Sequence, residues 1–326
     1  VTATTTESAP EVAAAPEPSS PARRRMPLLP IPRRNPWRRA WFLEGFTWLY
    51  LIWSIVPIGI AALFSFNNGK SQSTWQGFSM RWYVTDPLQS VLHDPVLHSA
   101  VIQTLKLAII TTLITVPLGF LFAVGIDRWR GRTSNGLNLV MVFSFVIPEL
   151  LLAIALYFVF VKLYTPLKLG TTAEVIGLMI WNISWPAIII RTRLIGIGRT
   201  YEEAAADLGA SRLSSMWRVL LPMLAPAILA SAVLVFASVI DDFVIVEQLS
   251  STAGTQPMSV IIYSETHGGL AGPALNALAT LMLLFSLIVA VAGYVGYRLM
   301  TRGERAARGE GSQAARQQAL ATIAGT

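Results

Sequence analysis

Glu149, Asp241 and Asp242 are charged residues set inside, or at the edge of, long apolar stretches. An ionised side chain at the centre of a bilayer costs about 2.5–3.5 kcal/mol on insertion scales, so such a residue faces a cavity, a partner or a substrate. Glu149 follows Pro148 about twelve residues into its stretch, roughly 18 Å at helical rise and close to a bilayer midplane. Pro148 frees a backbone carbonyl and can kink the helix at that point. Asp241 and Asp242 come late in a further stretch, with Glu247 near its exit. Carboxylates brought together from two helices would suit a cationic substrate. Neighbours on a helix point about 100° apart, so Asp241 and Asp242 cannot both face one cavity, and one of them reads as a helix end near water. Glu149 reads equally as a substrate group and as the partner of a polar group on another helix. Trp181 and Trp185, four apart on one helical face, and Tyr157 offer a second cation site, since aromatic faces attract ammonium groups by about 0.5–2 kcal/mol. Core packing or an interfacial belt is the alternative for these rings.

Helices must position these residues. The chain is 53% hydrophobic and only 13% charged over 326 residues, which favours one membrane domain over two soluble ones. A bilayer core takes about twenty apolar residues in a helix. Six stretches qualify, near Phe46–Phe66, Ala100–Ile126, Leu137–Leu163, Ala173–Ile190, Met223–Val246 and Leu275–Met300. The expectation is an all-α, polytopic fold with six transmembrane helices.

Charge orients it. Arg23, Arg24, Arg25, Arg33, Arg34, Arg38 and Arg39 precede the first span. Arg128, Arg130 and Arg132 follow the second, Arg191, Arg193, Arg199, Arg212 and Arg218 flank the loop before the fifth, and Arg298, Arg302, Arg305, Arg308 and Arg316 end the chain. The opposite loops hold only Lys70, Arg81 and Lys168, with Lys162 at a span end and Lys106 early in the second span. The positive-inside rule therefore puts both termini and the loop before the fifth span in the cytosol. The net charge of +7 reads as topology and contact with anionic lipid, not as nucleic-acid binding.

Outside the membrane domain, expected at 41–300, the sequence is plain. Residues 1–40 are rich in Ala, Pro and Arg and are expected to be a disordered basic tail; 301–326 are expected to be a polar cytosolic tail. Arg clusters behind a long Ala/Pro/Ser segment are the wrong layout for a cleavable signal segment. There is no cysteine, hence no disulfide and no thiolate metal site. No internal repeat is visible. The loop 67–99 carries Trp75, Trp82 and Tyr83 and reads as an interfacial segment. No acidic ligand completes a convincing metal set with its His93 and His98, which are five apart and read as solvated, so no metal site is expected. Gly69-Lys70-Ser71 mimics the end of a phosphate-binding loop, but Phe64 stands where that motif needs glycine, so this chain has no nucleotide site of its own.

The loop 199–222 is the most specific signal. Tyr201 to Leu208 is rich in Ala and Glu and favours a short helix. Gly209 suits the left-handed residue that ends a helix. Ser211 can cap a second helix running to Leu221, and Pro222 and Pro226 fit near the first turn of the next span. Glu203-Ala204-Ala205, three residues, Gly209, nine residues, then Val219, any residue and Leu221-Pro222 resembles the EAA loop of type I ABC-importer permeases. The only variation is Val219 for a commoner Ile. Gln103-Thr104-Leu105 is similar to the Asn-Thr-Leu that opens the permease core, and the resemblance spans about 46–300.

The resemblance implies a coupling helix through which Tyr201, Glu202, Glu203, Ala204, Ala205, Asp207, Leu208 and Gly209 meet a cytosolic ATPase. It implies a bacterial cytoplasmic membrane location, a homologous second permease, two copies of the ATPase and an extracytoplasmic substrate-binding protein. ATP and Mg would sit on the ATPase, with no cofactor in this chain, which would be a transport subunit and not an enzyme. Pro148-Glu149, Ile240-Asp241-Asp242-Phe243-Val244 and Asn276-Ala277-Leu278-Ala279-Thr280 look like the second permease subunit of spermidine/putrescine importers, where Pro-Asp is usual for Pro148-Glu149. That implies a polyamine or similar small cationic cargo. The rival is a stand-alone ion-coupled carrier using Glu149 and Asp242, which explains the acids but not the loop spacing. No Ser/His or His/Asp/Glu set suggests a membrane enzyme; His267 and Glu265 read as solvated.

Overall fold

The structure, a computed structural model, describes residues 41–71, 73–128, 131–251, 253–268 and 272–324. The expected tail 1–40 lies outside the described residues. In chain order the helices are α1 (Trp41–Phe64), α2 (Pro95–Arg128), α3 (Arg132–Val146), α4 (Glu149–Phe158), α5 (Thr171–Asn182), α6 (Ser184–Ile197), α7 (Thr200–Asp207), α8 (Arg212–Ser215), α9 (Leu221–Asp241), α10 (Val244–Leu249), α11 (Met258–His267) and α12 (Pro273–Ala324). Among the described residues the extended pairing is a single bridge, Asn67 with Phe78.

The chain divides into two units. In the first, which runs to Ser54, the opening turns of α1 expose Trp41, Phe42, Phe46, Trp48 and Trp53. A helix apolar all round is one solvated by lipid or buried in a larger assembly. Thr47 satisfies its hydroxyl by donating to the Leu43 carbonyl at 2.7 Å.

The second unit, residues 55–326, is organised about α2, which packs on α5, α6 and α9. Ala100, Thr104, Ala108, Thr111, Thr115, Gly119 and Ala123 form a buried stripe of small residues along α2, while Ile102, Ile109, Leu113 and Leu121 remain exposed. Lipid tails are as apolar as leucine, so membrane helices associate by close approach at small residues. At Gly119 a Cβ would lie 2.5 Å from Pro186 Cγ, and at Gly293 of α12 one would lie 2.2 Å from Val233 of α9. Leu107, Leu178, Val239, Ile240, Ile245 and Leu249 form one core where α2, α5, α9 and α10 meet. Phe120, Ile190, Leu194, Leu220 and Leu224 form another towards α7.

Among the described residues five helices are long and apolar enough to cross a bilayer, and the bent pair Ser134–Val146 and Glu149–Leu163 reaches that length and apolarity only when its two halves are taken together. The expected third span, Leu137–Leu163, is thus two helices bent by 105° instead of one kinked helix. The residue before a proline is driven out of the helical region, and Ile147 sits at ψ 124°. Pro148, itself extended at ψ 132°, has no N–H for the Ser144 carbonyl. The expected fifth span also ends sooner. α9 stops at Asp241, Asp242 is extended at ψ 126°, and α10 starts afresh beyond it. The sixth, expected to stop near Met300, continues as one helix to Ala324.

The first loop is folded, not merely interfacial. Trp82 is 1% exposed and donates its indole N–H to the Asn67 carbonyl at 2.5 Å. Asn67 is itself buried. Its amide donates to the carbonyls of Ser71 and Thr74 at 2.9 and 3.0 Å and accepts from the Gln76 N–H at 2.7 Å, tying down the turn that contains Lys70. Further on, the N–H groups of Leu88 and Gln89, then Arg81, hold the Asp86 carboxyl at about 2. The folded value lies below the ordinary ~3.9, so this stabilisation is complete above that pH and is lost as pH falls through about 2. Asn67→Ala removes three hydrogen bonds, each worth about 1 kcal/mol net. In detergent it should make Lys70 several-fold more susceptible to trypsin; cleavage at the parent rate would show that Asn67 does not hold the turn.

Candidate functional site

Two places gather the residues singled out by sequence. At one end of the bundle, α6 closes at Gly198 (φ +73°) and the chain turns into α7. The C-terminus of α7 is a Schellman motif: Ala210 N–H donates to the Ala205 carbonyl at 3.0 Å and Gly209 N–H to the Ala206 carbonyl at 2.8 Å. Gly209 takes φ +83°, a conformation that costs an L-residue about 1–2 kcal/mol. Ser211 Oγ then accepts from Ser214 N–H at 3.2 Å and caps α8, which passes through a five-residue π turn, Met216–Leu220, into α9. Pro222 follows that turn, where its missing N–H falls in the first residues of α9.

The two glutamates of α7 have different surroundings. Glu202 pairs with Arg128, the last residue of α2, which also binds Asp127 and donates to the Gly198 carbonyl at 3.1 Å. Arg199 donates to the Asp127 carbonyl at 3.2 Å. These contacts fasten α7 to the end of α2. Glu203, Ala204 and Asp207 are exposed instead, with Tyr201 at 54% and Leu208 at 90%, and Ala205 is buried. Sequence spacing could not separate Glu202 from Glu203, because the separation depends on where Arg128 arrives. Trp217, 57% exposed on the π turn, was not singled out either.

The second place is where the α3–α4 and α9–α10 breaks meet. Glu149 is in the first turn of α4, and its carboxyl lies within hydrogen-bond reach of Asp242. Asp242 is buried. Its Oδ1 accepts from Ile245 N–H at 3.1 Å and Val246 N–H at 3.4 Å, so it caps α10, and its carbonyl accepts from Ser259 Oγ of α11 at 2.6 Å. Asp241 is exposed. Tyr157 and Trp181 are half-buried against the core, and Trp185 meets Phe145 edge-on at 5.0 Å. Among the described residues no ring of these three stacks on another. No group of three His, Asp or Glu able to hold a metal occurs among the described residues.

One acid escaped sequence analysis. Glu174, in the first turn of α5, is fully buried. Gln103 Nε2 donates to its Oε2 at 2.6 Å and to Thr171 Oγ1 at 2.9 Å, while Glu174 Oε1 has no partner. A lone Glu just inside an apolar span was the available signal; Gln103, 71 residues away, was not a visible partner.

Residues 115–309 match the family described as binding-protein-dependent transport system inner membrane component. The putrescine transport system permease protein PotI of Escherichia coli K12 is 34% identical over 279 residues, 83% of this chain and 93% of that protein. The spermidine/putrescine transport system permease protein PotC of the same strain is 28% identical over 259 residues, 79% and 95% of the two chains. Among solved structures, a bacterial transporter that imports the acidic polysaccharide alginate aligns over 80% of this chain and 96% of its own at TM-score 0.62 and 16% identity. The MetNI methionine transporter aligns over 64% and 97% at TM-score 0.52 and 20% identity. Glu149, Asp241, Asp242 and the α7 loop thus sit in a fold shared with importer permeases, and the chain belongs to the binding-protein-dependent transport system inner membrane component family, as a multi-pass cytoplasmic-membrane permease subunit of an ABC importer.

Proposed function

We propose that this chain forms half of the translocation path of an ATP-driven polyamine importer, with putrescine-like diamines as cargo. The meeting of Glu149 and Asp242 at two helix breaks, with Asp241 exposed beside them, carries this reading. Opposed carboxylates are what a chain of ammonium groups needs when it leaves water. The resemblance to PotI and PotC supports the same cargo. A homologous permease completes the path, a binding protein delivers cargo from outside, and two ATPase subunits hold ATP and Mg. The α7 end faces the cytosol, in keeping with its arginines.

Coupling runs through α7. Its outer surface, with Tyr201, Glu203, Ala204, Asp207 and Leu208, is the docking face, and Glu202 with Arg128 passes the displacement to α2. Exposure of Leu208 supports this, since a solvated leucine beyond the membrane gains by covering, about 1.5–3 kcal/mol when complete. A carrier working alone would need no such platform. ATP and loaded binding protein supply the change in equilibrium that this subunit transmits.

Leu208→Asp should abolish co-purification of the ATPase while leaving the permease monodisperse in detergent; retention of the ATPase would remove Leu208 from the docking face. At Gly209 nothing in the chain lies within 4 Å of a Cβ position, so within this subunit the strain of Gly209→Val comes from the positive φ. It should lower uptake several-fold and loosen ATP hydrolysis from transport, and unaltered rates of both would refute the assignment. For cargo, Glu149→Gln should raise the KM for putrescine uptake about tenfold or more, as expected for a lost hydrogen bond to a charged group, with assembly intact. Unchanged kinetics would take Glu149 out of the path.

A further inference from the structure

Asp241 ends α9 with no ion pair among the described residues. It opens on a groove of about 350 Å³ bounded by Phe243, Ser259, Tyr263, Thr266, His267 and Met282. Three rings run along the wall. Phe243 and Tyr263 have centroids 4.4 Å apart, and Tyr263 and His267 are 4.0 Å apart with planes tilted by 34°. His267 Nδ1 lies 2.9 Å from the Tyr263 carbonyl, which keeps the imidazole over the phenol. Ser259, on the same helix as Tyr263, is fastened to the Asp242 carbonyl at 2.6 Å, so the wall is held against the break that ends at Asp241. No Lys or Arg lines the groove.

A carboxylate without a counter-charge, next to ring faces, is an electrostatic demand for a cation. The carboxylate accepts N–H bonds from an ammonium, and the quadrupoles of the rings attract the same charge. Ile262 and Met282 supply apolar wall for methylene groups. Asp242 cannot serve here, because its carboxylate is buried on the α10 amides and against Glu149. We propose that Asp241, Phe243, Tyr263 and His267 form an alkylammonium subsite, separate from the Glu149–Asp242 pair, that takes one charged end of the cargo. The inference rests on the amine-importer reading above. It moves the aromatic contribution from Trp181, Trp185 and Tyr157 to rings that the sequence presents twenty residues apart on either side of a loop.

The test uses the whole importer in proteoliposomes, with its second permease, ATPases and binding protein, and follows labelled putrescine. Asp241→Asn and Tyr263→Leu should each raise the KM about tenfold, the size of a lost ion contact or ring–cation contact. Tyr263→Phe, which keeps the ring, should recover most of that loss. His267→Leu, at an exposed position, serves as the second ring variant should Tyr263→Leu fail to assemble, and a rise in its KM would support the subsite equally. A wild-type importer that moves no amine overturns the cargo reading. A wild-type importer that moves putrescine while both ring variants keep its KM overturns the subsite alone.

Discussion

Inside a bilayer a backbone N–H or C=O that does not pair within its own helix finds no water, and each such group costs several kcal/mol. That constraint governs how the chain is satisfied at the break between α9 and α10. Where α9 ends, the amides of Ile245 and Val246 turn to the Asp242 carboxylate, and the Asp242 carbonyl turns to Ser259. An acidic residue that lipid would exclude is retained because it replaces the missing helix partner. The α3–α4 break at Pro148 comes to the same place through Glu149, so the polar atoms of two interrupted helices answer each other.

The same constraint divides the molecule into stiff and yielding parts. α2 runs without interruption from Pro95 to Arg128, about 51 Å at 1.5 Å per residue. One end is joined to α5 through Gln103 and Glu174, and the other to α7 through Arg128 and Glu202. Its small-residue stripe packs too closely to slide freely, as the 2.5 Å clash of any Cβ at Gly119 illustrates. Within the apolar stretches the helices are interrupted at Ile147–Pro148 and Asp242–Phe243. Hinge motion gathers at such element ends.

Much of this was legible beforehand because the relevant signals are local. Apolar run length located the five long spans and the stretch that holds the bent pair Ser134–Val146 and Glu149–Leu163, since a bilayer sets the length directly. Gly209 and Ser211 could be assigned as helix stop and helix cap, since each satisfies backbone groups within five residues of itself. Pro148 was visible as a perturbation, but not the 105° bend, because the angle is set by what α3 and α4 pack against. Glu174 and the Glu202–Arg128 pair were out of reach for another reason. Their partners lie 71 and 74 residues away, and nothing in one residue's neighbourhood names a partner at that separation. Trp82 misled because an aromatic loop residue suits a membrane interface until a buried carbonyl, here that of Asn67, claims its N–H.

Asp241 and Asp242 show how two identical neighbours come to do different work. Helical rotation alone separates adjacent side chains by about 100°, and the break after Asp241 separates them further, because Asp242 leaves the helix for an extended conformation. Asp242 is then spent on the backbone amides of Ile245 and Val246, beside Glu149. Asp241 lies exposed, with no ion pair among the described residues. A site that must bind a cation and then release it needs such an arrangement. The acid that shapes the backbone cannot move without unravelling α10, whereas the acid left exposed can exchange partners at the cost of one contact.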